Sequence, residues 1–191
     1  MLGDKPLLQY ILEKLTKTTS IDEVYVYCSQ EEIIPLLPQG VKFLKRDKSL
    51  DRDETLGKEI YEAFTNEIDA DVYVLAHTTS PFIKAATVDN AVRQVIDRNY
   101  DSAFSAQKVQ TFSWYKGHPL NYNLKEIPRT QTIEPVYFET SAFYVFRKEI
   151  WTEAHQRIGA KPYMAIVDPI EGIDIDNPED FEFATRVLPE K

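Results

Sequence analysis

Apolar residues along the chain recur at helical spacing in some segments and at strand spacing in others, and the two kinds of segment alternate. Five leucine and isoleucine residues from Leu7 to Leu15 follow Asp4 and Pro6, which suit a helix start, so the chain opens with a predicted amphipathic helix. Further helices are predicted near residues 54–68, 86–98 and 178–187. Strands are predicted near residues 23–29, 41–44, 71–77, 102–109, 142–146 and 173–176.

Strands that alternate with helices indicate a sheet that is covered by helices on both faces. We therefore predict an α/β fold of the Rossmann-like, three-layer type, with a mostly parallel sheet and one domain over residues 1–191. The middle of the chain departs from this pattern. Two aromatic segments, 112–115 and 119–122, flank Lys116, Gly117 and His118, which indicates a protruding β-hairpin arm.

Composition and charge exclude several classes of partner. The 31 Asp and Glu residues outnumber the 22 Lys and Arg residues, and the net charge of −9 would repel a nucleic-acid backbone. No apolar run approaches the roughly 20 residues of a membrane span, and the first twelve residues are too polar for a signal peptide, so we predict a cytoplasmic protein with no membrane partner. The single cysteine, Cys28, is expected to be a buried, reduced thiol.

The sharpest candidate for chemistry is a pair of aspartates near the C-terminus. Strand spacing places Asp174 and Asp176 on one face and the two neighbouring isoleucines on the other. Adjacent carboxylates repel each other, and Mg²⁺ is commonly held by one or two carboxylates together with waters and phosphate oxygens. The alternative is that such acids only cap the helix that follows, a role that Asn177 and Asp180 fit better.

A polar loop, residues 77–81, follows the strongest predicted strand. Ligands of open α/β sheets bind beyond the carboxyl ends of the strands, so His77, Thr79 and Ser80 are candidates for holding a sugar or a phosphate. The alternative is a plain turn that leads into the next helix. A single histidine is also more often a hydrogen-bonded structural residue than a catalyst.

Three cations are further candidates for binding an anion. Arg129 lies in the irregular middle of the chain and offers a guanidinium fork to a carboxylate or phosphate, with surface solvation as the alternative. Arg46, near the end of the second strand, is open to the same two interpretations as a contact for a base or a phosphate. Lys5 lies at a helix start, where the helix dipole disfavours a cation, which indicates an anionic ligand nearby.

Taken in chain order, these motifs resemble the acylneuraminate cytidylyltransferases. Residues 2–7 resemble the Gly-Lys-Pro-Leu element that opens the first helix of that family. Residues 74–81 are similar to its strand that ends in Gln-Pro-Thr-Ser-Pro, with His77 and Thr78 in place of Gln and Pro. The other matching segments are a strand at 21–32, a strand at 101–105, the sugar-contacting regions 129–131 and 139–144, and the metal motif at 173–180.

The resemblance implies the fold of nucleotide-diphospho-sugar transferases and a homodimer in which the arm, residues 110–140, reaches the neighbouring subunit. It also implies that CMP passes from CTP to a sialic-acid-like acidic sugar and that pyrophosphate leaves, with Mg²⁺ offsetting phosphate charge. The matching site positions are Asp174 and Asp176 for the metal, Lys5 and Arg46 for the nucleotide, and His77, Arg129, Gln131 and Glu139 for the sugar.

One family element has no counterpart in these residues. The glycine-, arginine- and lysine-containing phosphate loop of the family, with the strand before it, belongs upstream of the segment that matches Leu2. Each lost charge-assisted hydrogen bond is worth roughly 1.5–3 kcal/mol, so a chain without the loop is expected to be slow or inactive. The alternatives are a nucleotide- or sugar-binding pseudoenzyme and, in another enzyme class, a Mg²⁺-dependent phosphatase that uses Asp174 and Asp176.

Overall fold

The structure is a computed structural model that describes residues 1–188. Its α-helices are α1 (Leu7–Leu15), α2 (Gly57–Glu67), α3 (Ala85–Asp97), α4 (Lys148–Ala154) and α5 (Pro178–Val187). Its strands are β1 (Val24–Cys28), β2 (Val41–Lys45), β3 (Val72–Ala76), β4 (Ser102–Val109), β5 (Trp114–Tyr115), β6 (His118–Pro119), β7 (Val136–Arg147) and β8 (Pro162–Ile166). Two 3₁₀ turns, Glu31–Leu36 and Lys48–Asp51, follow β1 and β2.

Most of the predicted elements are present within a few residues of their predicted bounds. One exception is the segment 173–176, which was predicted as a strand but is extended without a strand partner. Another is β7, which begins six residues before the strand predicted at 142–146. Two elements were missed, α4 and β8. Helix α4 has seven residues, of which only Trp151 is buried, so it carries too few apolar positions to show a period. Strand β8 begins with a proline and buries only Ala165, as a strand at the end of the sheet can.

The α/β class of the fold is confirmed, although the main sheet is mixed. Its order is β3-β7-β4-β8, with β4 and β8 parallel and β7 antiparallel to both of its neighbours. A parallel return from β4 would need a crossover, usually through a helix. The connection from β4 to β7, residues 110–135, contains only the short hairpin and loops, so the chain comes back antiparallel.

Three layers are formed because the long strand β7 buries both of its faces. On one face, Phe143 and Val145 join the largest apolar core, together with residues of α1 and α3. On the other face, Tyr144 and Phe146 belong to an aromatic core with Trp151 of α4 and partly buried residues of α2. Side chains alternate along a strand, so one strand supplies both cores.

Strands β1 and β2 form a parallel pair that is not hydrogen-bonded to the main sheet in the described part of the chain. Side chains join the two sheets instead. Val24 of β1 lies in the largest core. On the opposite face, the ring of Phe64 from α2 contacts Tyr25 and Tyr27 of β1 at 5.9 and 5.6 Å and Tyr73 of β3 at 6.5 Å between ring centroids. We call this junction the β1–β3 seam.

Of the arm predicted over residues 110–140, the part before β7, residues 110–135, carries the predicted hairpin and is called the arm from here on. Strands β5 and β6 pair through a two-residue turn at Lys116 and Gly117, both at positive φ, a conformation that glycine adopts without strain. Asn121 ties the base of the arm together, because its side chain donates to the carbonyls of Thr111 and Glu134 and accepts from the N–H of Ser113. The hairpin prediction is therefore confirmed.

Two further expectations meet the structure only in part. Within residues 1–188, no helix combines the length and the apolar character that crossing a membrane requires. The cytoplasmic location stays a prediction. Cys28 is half-buried at the end of β1 and is a free thiol.

We expect Phe64→Ala to lower the free energy of unfolding by about 2 kcal/mol, because this half-buried ring joins two sheets that share no backbone hydrogen bonds. Urea unfolding followed by circular dichroism measures the change. Phe183→Ala, which removes a ring that is 54% exposed on α5, is the matched control and should change the stability by less than about 0.5 kcal/mol. Equal losses in the two variants would show that Phe64 has no special role at the seam.

Candidate active site

Two loops meet where β3 ends. The N–H of Ile175 donates a hydrogen bond of 2.9 Å to the carbonyl of Thr79, and the hydroxyl of Ser80 lies 3.5 Å from a carboxylate oxygen of Asp174. Residues nearly one hundred positions apart are thereby held side by side. The polar loop after β3, residues 77–81, and residues 173–176, which we call the aspartate segment, form one site at this edge of the sheet.

The alternation of apolar and acidic residues in the aspartate segment fixes its orientation. Ile173 and Ile175 are each 9% exposed and pack against Leu2 and Ala184. Asp174 and Asp176, which alternate with them, therefore face the opposite way. The segment lacks a ladder partner, but it keeps the orientation that strand spacing predicted. This burial explains why both carboxylates are presented on one side.

Helix α5 fixes the end of the aspartate segment through its N-terminal cap. The side chain of Asn177 accepts from the N–H of Asp180, and the carboxylate of Asp180 accepts from the N–H groups of Asp176 and Asn177, each at 3.1 Å. Asn177 and Asp180 therefore have the capping roles that the sequence predicted. Their bonds hold the backbone at Asp176 and leave its carboxylate exposed.

The charges of two aspartates and a guanidinium act on His77. Burial lowers its pKa below the ordinary value of 6.5 and the nearby charge of Arg157 lowers it further, while Asp174 and Asp176 act in the opposite direction. Its backbone N–H donates to the carbonyl of Ala142 on β7 at 3.0 Å. The imidazole is therefore predominantly neutral at pH 7 and can accept a hydrogen bond.

Strand β7 bulges where it passes this site. Its register against β4 shifts between Phe104 and Ala106, and Ser141 at the bulge has a φ of +58°. The buried hydroxyl oxygen of Ser105 accepts from the hydroxyl of Thr140 at 2.8 Å and from the N–H of Phe143 at 3.3 Å. One side chain on β4 thus holds the bulge in place.

The bulge brings Glu139 back towards the site. The phenol of Tyr144 donates to the carboxylate of Glu139 at 2.7 Å, and the guanidinium carbon of Arg157 lies 3.8 Å from the centre of the same ring. An N–H of Arg157 also donates to the phenol oxygen of Tyr61 at 3.2 Å. Tyr144 ends the segment 139–144 that the resemblance matched to sugar contacts, although it was not singled out as a site residue. Sequence analysis missed Arg157, which lies in a loop without any motif.

A buried carboxylate ties the aspartate segment to helix α3. Glu171 is 4% exposed, and its carboxylate accepts from the backbone N–H and the ammonium of Lys84, the residue before α3, at 3.0 and 3.1 Å. The same ammonium pairs with Asp168 at 2.6 Å. Gly172 lies so close to Gln107 that a β-carbon would meet the amide nitrogen at 2.1 Å. The loop before the aspartates is therefore fixed on two sides.

The two cations assigned to the nucleotide are engaged elsewhere. Lys5 forms an ion pair with Glu13, with both carboxylate oxygens within 2.9 Å of the ammonium. Arg46 pairs with Asp51 at 2.7 Å, although its Nε is buried without a hydrogen-bond partner in the described chain. No hydrogen bond or ion pair in residues 1–188 joins either cation to the aspartate segment.

Two residues assigned to the sugar lie in the arm. Arg129 and Gln131 are exposed, and within the described residues their side chains have no hydrogen bond or ion pair. The structure therefore brings together His77, Thr79, Ser80, Asp174 and Asp176, places Glu139 nearby through Tyr144 and Arg157, and leaves the arm residues and the two ion-paired cations apart. The roles of all these residues stay predictions.

The carboxylate pair suits a loosely held Mg²⁺ ion better than an ion caged by the protein. Asp174 and Asp176 share one side of an extended segment, and no cluster of three or more potential ligands occurs within residues 1–188. Mg²⁺ usually takes one or two carboxylates and completes its shell with waters and substrate phosphate oxygens. The donor set therefore fits that ion when a phosphorylated substrate is also bound.

The architecture is that of the α/β nucleotidyltransferases. A solved structure of CMP:2-keto-3-deoxy-manno-octonic acid synthetase complexed with CTP aligns over 98% of this chain and 89% of its own, with a TM-score of 0.71 and 12% identity. The 4-diphosphocytidyl-2C-methyl-D-erythritol synthase of Anaerococcus prevotii aligns over 97% of this chain and 87% of its own, with the same TM-score and identity. At this identity the likeness shows the fold alone.

The chain belongs to the cytidylyltransferase family, whose profile matches residues 1–190. Its relatives include N-acylneuraminate cytidylyltransferase A of Danio rerio, which is 28% identical over 98% of this chain. They also include N-acylneuraminate cytidylyltransferase of Escherichia coli, which is 25% identical over 100% of this chain. The chain spans 46% and 48% of these two relatives. The resemblance found in the sequence motifs is thus confirmed at the level of the family.

We expect His77→Gln to reduce the loss of stability on acidification. The depressed pKa means that the unfolded chain binds a proton that native His77 does not, so the wild-type stability falls as the pH drops below about 6.5. Urea unfolding at pH 7.5 and pH 5.5 measures the difference. His118→Gln, which removes an exposed histidine of the hairpin, is the control. If His77→Gln and wild type lose equal stability, native His77 takes up the proton as readily as the unfolded chain does.

Proposed function

We propose that this chain transfers CMP from CTP to an acidic sugar of the sialic-acid class and releases pyrophosphate. The observation that carries the proposal is the match of the cytidylyltransferase family to residues 1–190, a range that includes the carboxylate pair Asp174 and Asp176. The two relatives named for N-acylneuraminate support the acidic sugar as acceptor. A fold shared with a CTP-bound synthetase is in keeping with it.

In the proposed reaction, a hydroxyl of the sugar attacks the α-phosphorus of CTP and gives up its proton to solvent. The bond between that phosphorus and the pyrophosphate oxygen breaks, and pyrophosphate leaves. Asp174 and Asp176 would hold Mg²⁺, which offsets the negative charge of the phosphates. His77 is predominantly neutral at pH 7 and lies beside these aspartates, so it would accept a hydrogen bond from the attacking hydroxyl and orient it. The Ser80 hydroxyl, 3.5 Å from Asp174, would help to orient that carboxylate.

The remaining predicted residues have proposed roles at the edges of this site. Arg46 would leave Asp51 to contact the nucleotide, and Lys5 would exchange Glu13 for a phosphate. Arg129 and Gln131 carry unengaged polar groups on the arm and would face the sugar of a neighbouring subunit.

A homodimer through the arm is part of the proposal. The arm and the first residues of β7 expose apolar side chains to an extent that is unusual for a lone chain. They are Phe112, Trp114, Tyr115, Leu120, Leu124, Ile127, Tyr137 and Phe138. Aromatic residues are enriched at protein interfaces, which favours a second copy of the chain as the partner.

A nucleotide- or sugar-binding pseudoenzyme is the second candidate. It is favoured by the ion pairs of Lys5 and Arg46, because both cations that would contact the nucleotide are neutralised within the chain. Turnover of CTP separates the two functions, since a pseudoenzyme would bind the nucleotide without releasing pyrophosphate.

We expect sugar-dependent release of pyrophosphate from CTP and Mg²⁺, and we expect Asp176→Asn to lower kcat/KM by about a hundredfold or more, because a carboxylate that holds the metal is lost. A coupled phosphate assay with a panel of sialic-acid-like sugars measures the rate. Asp22→Asn removes an exposed carboxylate outside the site and should leave the rate unchanged. Nucleotide binding without release of pyrophosphate from the wild-type chain would support the pseudoenzyme instead.

We expect the wild-type chain to elute as a dimer, at twice its 22.1 kDa, and the double variant Trp114→Glu, Ile127→Glu to elute as a monomer. Two charges placed in an apolar contact cannot be buried without a large desolvation cost. Size-exclusion chromatography with light scattering measures the mass. Ile96→Glu, which changes an exposed apolar residue on α3, is the control, and a dimer that survives in the double variant would place the interface elsewhere.

A further inference from the structure

One buried glutamate beside the site has no role in the proposed reaction. Glu171 precedes Asp174 by three positions and is 4% exposed, and acidic side chains are rarely buried unless they are paired. Its Oε1 accepts from the backbone N–H of Lys84 at 3.0 Å, and its Oε2 accepts from the ammonium of the same residue at 3.1 Å. Because both oxygens are engaged, this carboxylate is suited to hold the backbone in place and not to bind a metal itself.

The partner of Glu171 is the residue at which helix α3 starts. Lys84 is the N-cap of α3, and within residues 1–188 its side chain makes no capping hydrogen bond to the helix, whose first turn contains no acidic residue. Glu171 supplies both missing features from another part of the chain. It accepts from a backbone N–H that has no acceptor inside the helix, and it places a negative charge beside the positive end of the helix dipole. The contact therefore joins two segments firmly.

Asp174 lies between this contact and a second one. The N–H of Ile175 donates to the carbonyl of Thr79 at 2.9 Å, so the chain is held on both sides of Asp174. Along the segment after β3, Lys84 follows Thr79, whereas Glu171 precedes Ile175 along the other segment. The two segments therefore run antiparallel, with one hydrogen-bonded contact before Asp174 and one after it. This arrangement fixes the direction in which the carboxylate of Asp174 points.

The other contacts of the loop 168–172 are weaker or lead to a different element. Asp168 also pairs with Lys84, but the two side chains are 49% and 59% exposed, and an ion pair so open to solvent contributes little. The amide of Gln107 on β4 donates to the carbonyls of Asp168 and Pro169 at 3.2 and 3.3 Å. These bonds tie the loop to β4, whereas Glu171 ties it to the start of α3.

We propose that Glu171 is a positioning residue, whose hydrogen bonds to Lys84 hold Asp174 in the orientation in which the aspartate pair accepts a divalent cation. The inference rests on the proposed function, in which Asp174 and Asp176 hold Mg²⁺. Two carboxylates leave most of the coordination shell to waters and phosphate oxygens, so the affinity depends on how well both are oriented. Loss of a group that orients a metal ligand typically weakens metal binding about tenfold to a hundredfold.

Titration with Mn²⁺, followed by its electron paramagnetic resonance signal, tests the inference without turnover. CTP is present at a fixed concentration, no sugar is added, and a titration of CTP alone supplies the background. We expect Glu171→Gln to weaken binding of Mn²⁺ about tenfold. Glutamine has the size of glutamate and can still accept from the N–H of Lys84, so the variant loses the ionic contact without opening a cavity.

Asp89→Asn is the matched control. Asp89 also ties a loop to α3, because its carboxylate accepts from the backbone N–H of Ser20 at 3.0 Å and pairs with Arg93 at 2.8 Å. Both variants remove an ionic contact of the same helix, but only the contact of Glu171 leads to the aspartates. We expect Asp89→Asn to bind Mn²⁺ as wild type does. An equal loss in the two variants would reduce Glu171 to a stabiliser of α3 and overturn the inference.

Amide hydrogen exchange shows whether the aspartate segment has been loosened. The N–H of Ile175 is bonded to Thr79 in the wild-type chain. We expect this region to exchange severalfold faster in Glu171→Gln and at the wild-type rate in Asp89→Asn. Exchange at the wild-type rate in Glu171→Gln would show that other contacts hold the segment, and the inference would fail.

Asp176→Asn in the same Mn²⁺ titration distinguishes this inference from the proposed function. If Asp176→Asn loses Mn²⁺ while Glu171→Gln binds it as wild type does, the metal role of the aspartates stands and the positioning role fails. If wild type and Asp176→Asn bind Mn²⁺ equally, the metal role and the inference both fail. If the titrations behave as expected but the wild-type chain releases no pyrophosphate, the transferase fails while the positioning role of Glu171 survives.

Discussion

The site depends on how two isoleucines are buried. Ile173 and Ile175 enter a small apolar core with Leu2 and Ala184, and backbone geometry then turns Asp174 and Asp176 to the opposite side. A single backbone hydrogen bond, from Ile175 to Thr79, joins this segment to the loop that carries His77. The electrostatics of the site follow from that contact, because it brings two carboxylates near an imidazole that burial keeps neutral.

Strand β7 performs three tasks that would usually fall to different elements. It pairs with β3 on one side and β4 on the other, and it supplies side chains to the apolar cores on both faces. Near the site it also bulges, so Tyr144 stays in the core while its phenol reaches Glu139. The cost is a serine at positive φ, which the hydrogen bonds to the Ser105 hydroxyl help to hold.

Elements with a strong local signal could be predicted from the sequence. Helices α1, α3 and α5 carry long apolar stripes or a complete cap, and their observed bounds lie close to the predicted ones. The orientation of Asp174 and Asp176 followed from spacing alone. The antiparallel direction of β7 could not be predicted from spacing, because it depends on the absence of a crossover helix in the arm. Helix α4 and strand β8 were too short to show a period.

The candidate site could be predicted only where a motif carried it. The loop of His77 and the aspartate segment are both local patterns, and the fold brings them into contact. Arg157 has no such pattern, and its importance comes from lying over Tyr144, a contact between residues of different elements. Lys5 and Arg46 stood out as cations near element ends, but the acids that pair with them, Glu13 and Asp51, could be identified only in three dimensions.

The β1–β3 seam has a consequence for the motions of the chain. Two sheets that touch through side chains, without a shared ladder, can separate without breaking backbone hydrogen bonds between them. Amide protons of β1 and β2 would then exchange with solvent through a partial opening, while those of β7, paired on both sides, would exchange only when the whole domain unfolds. The β1–β2 pair and β7, which contribute to the same apolar core, would thus differ in local stability.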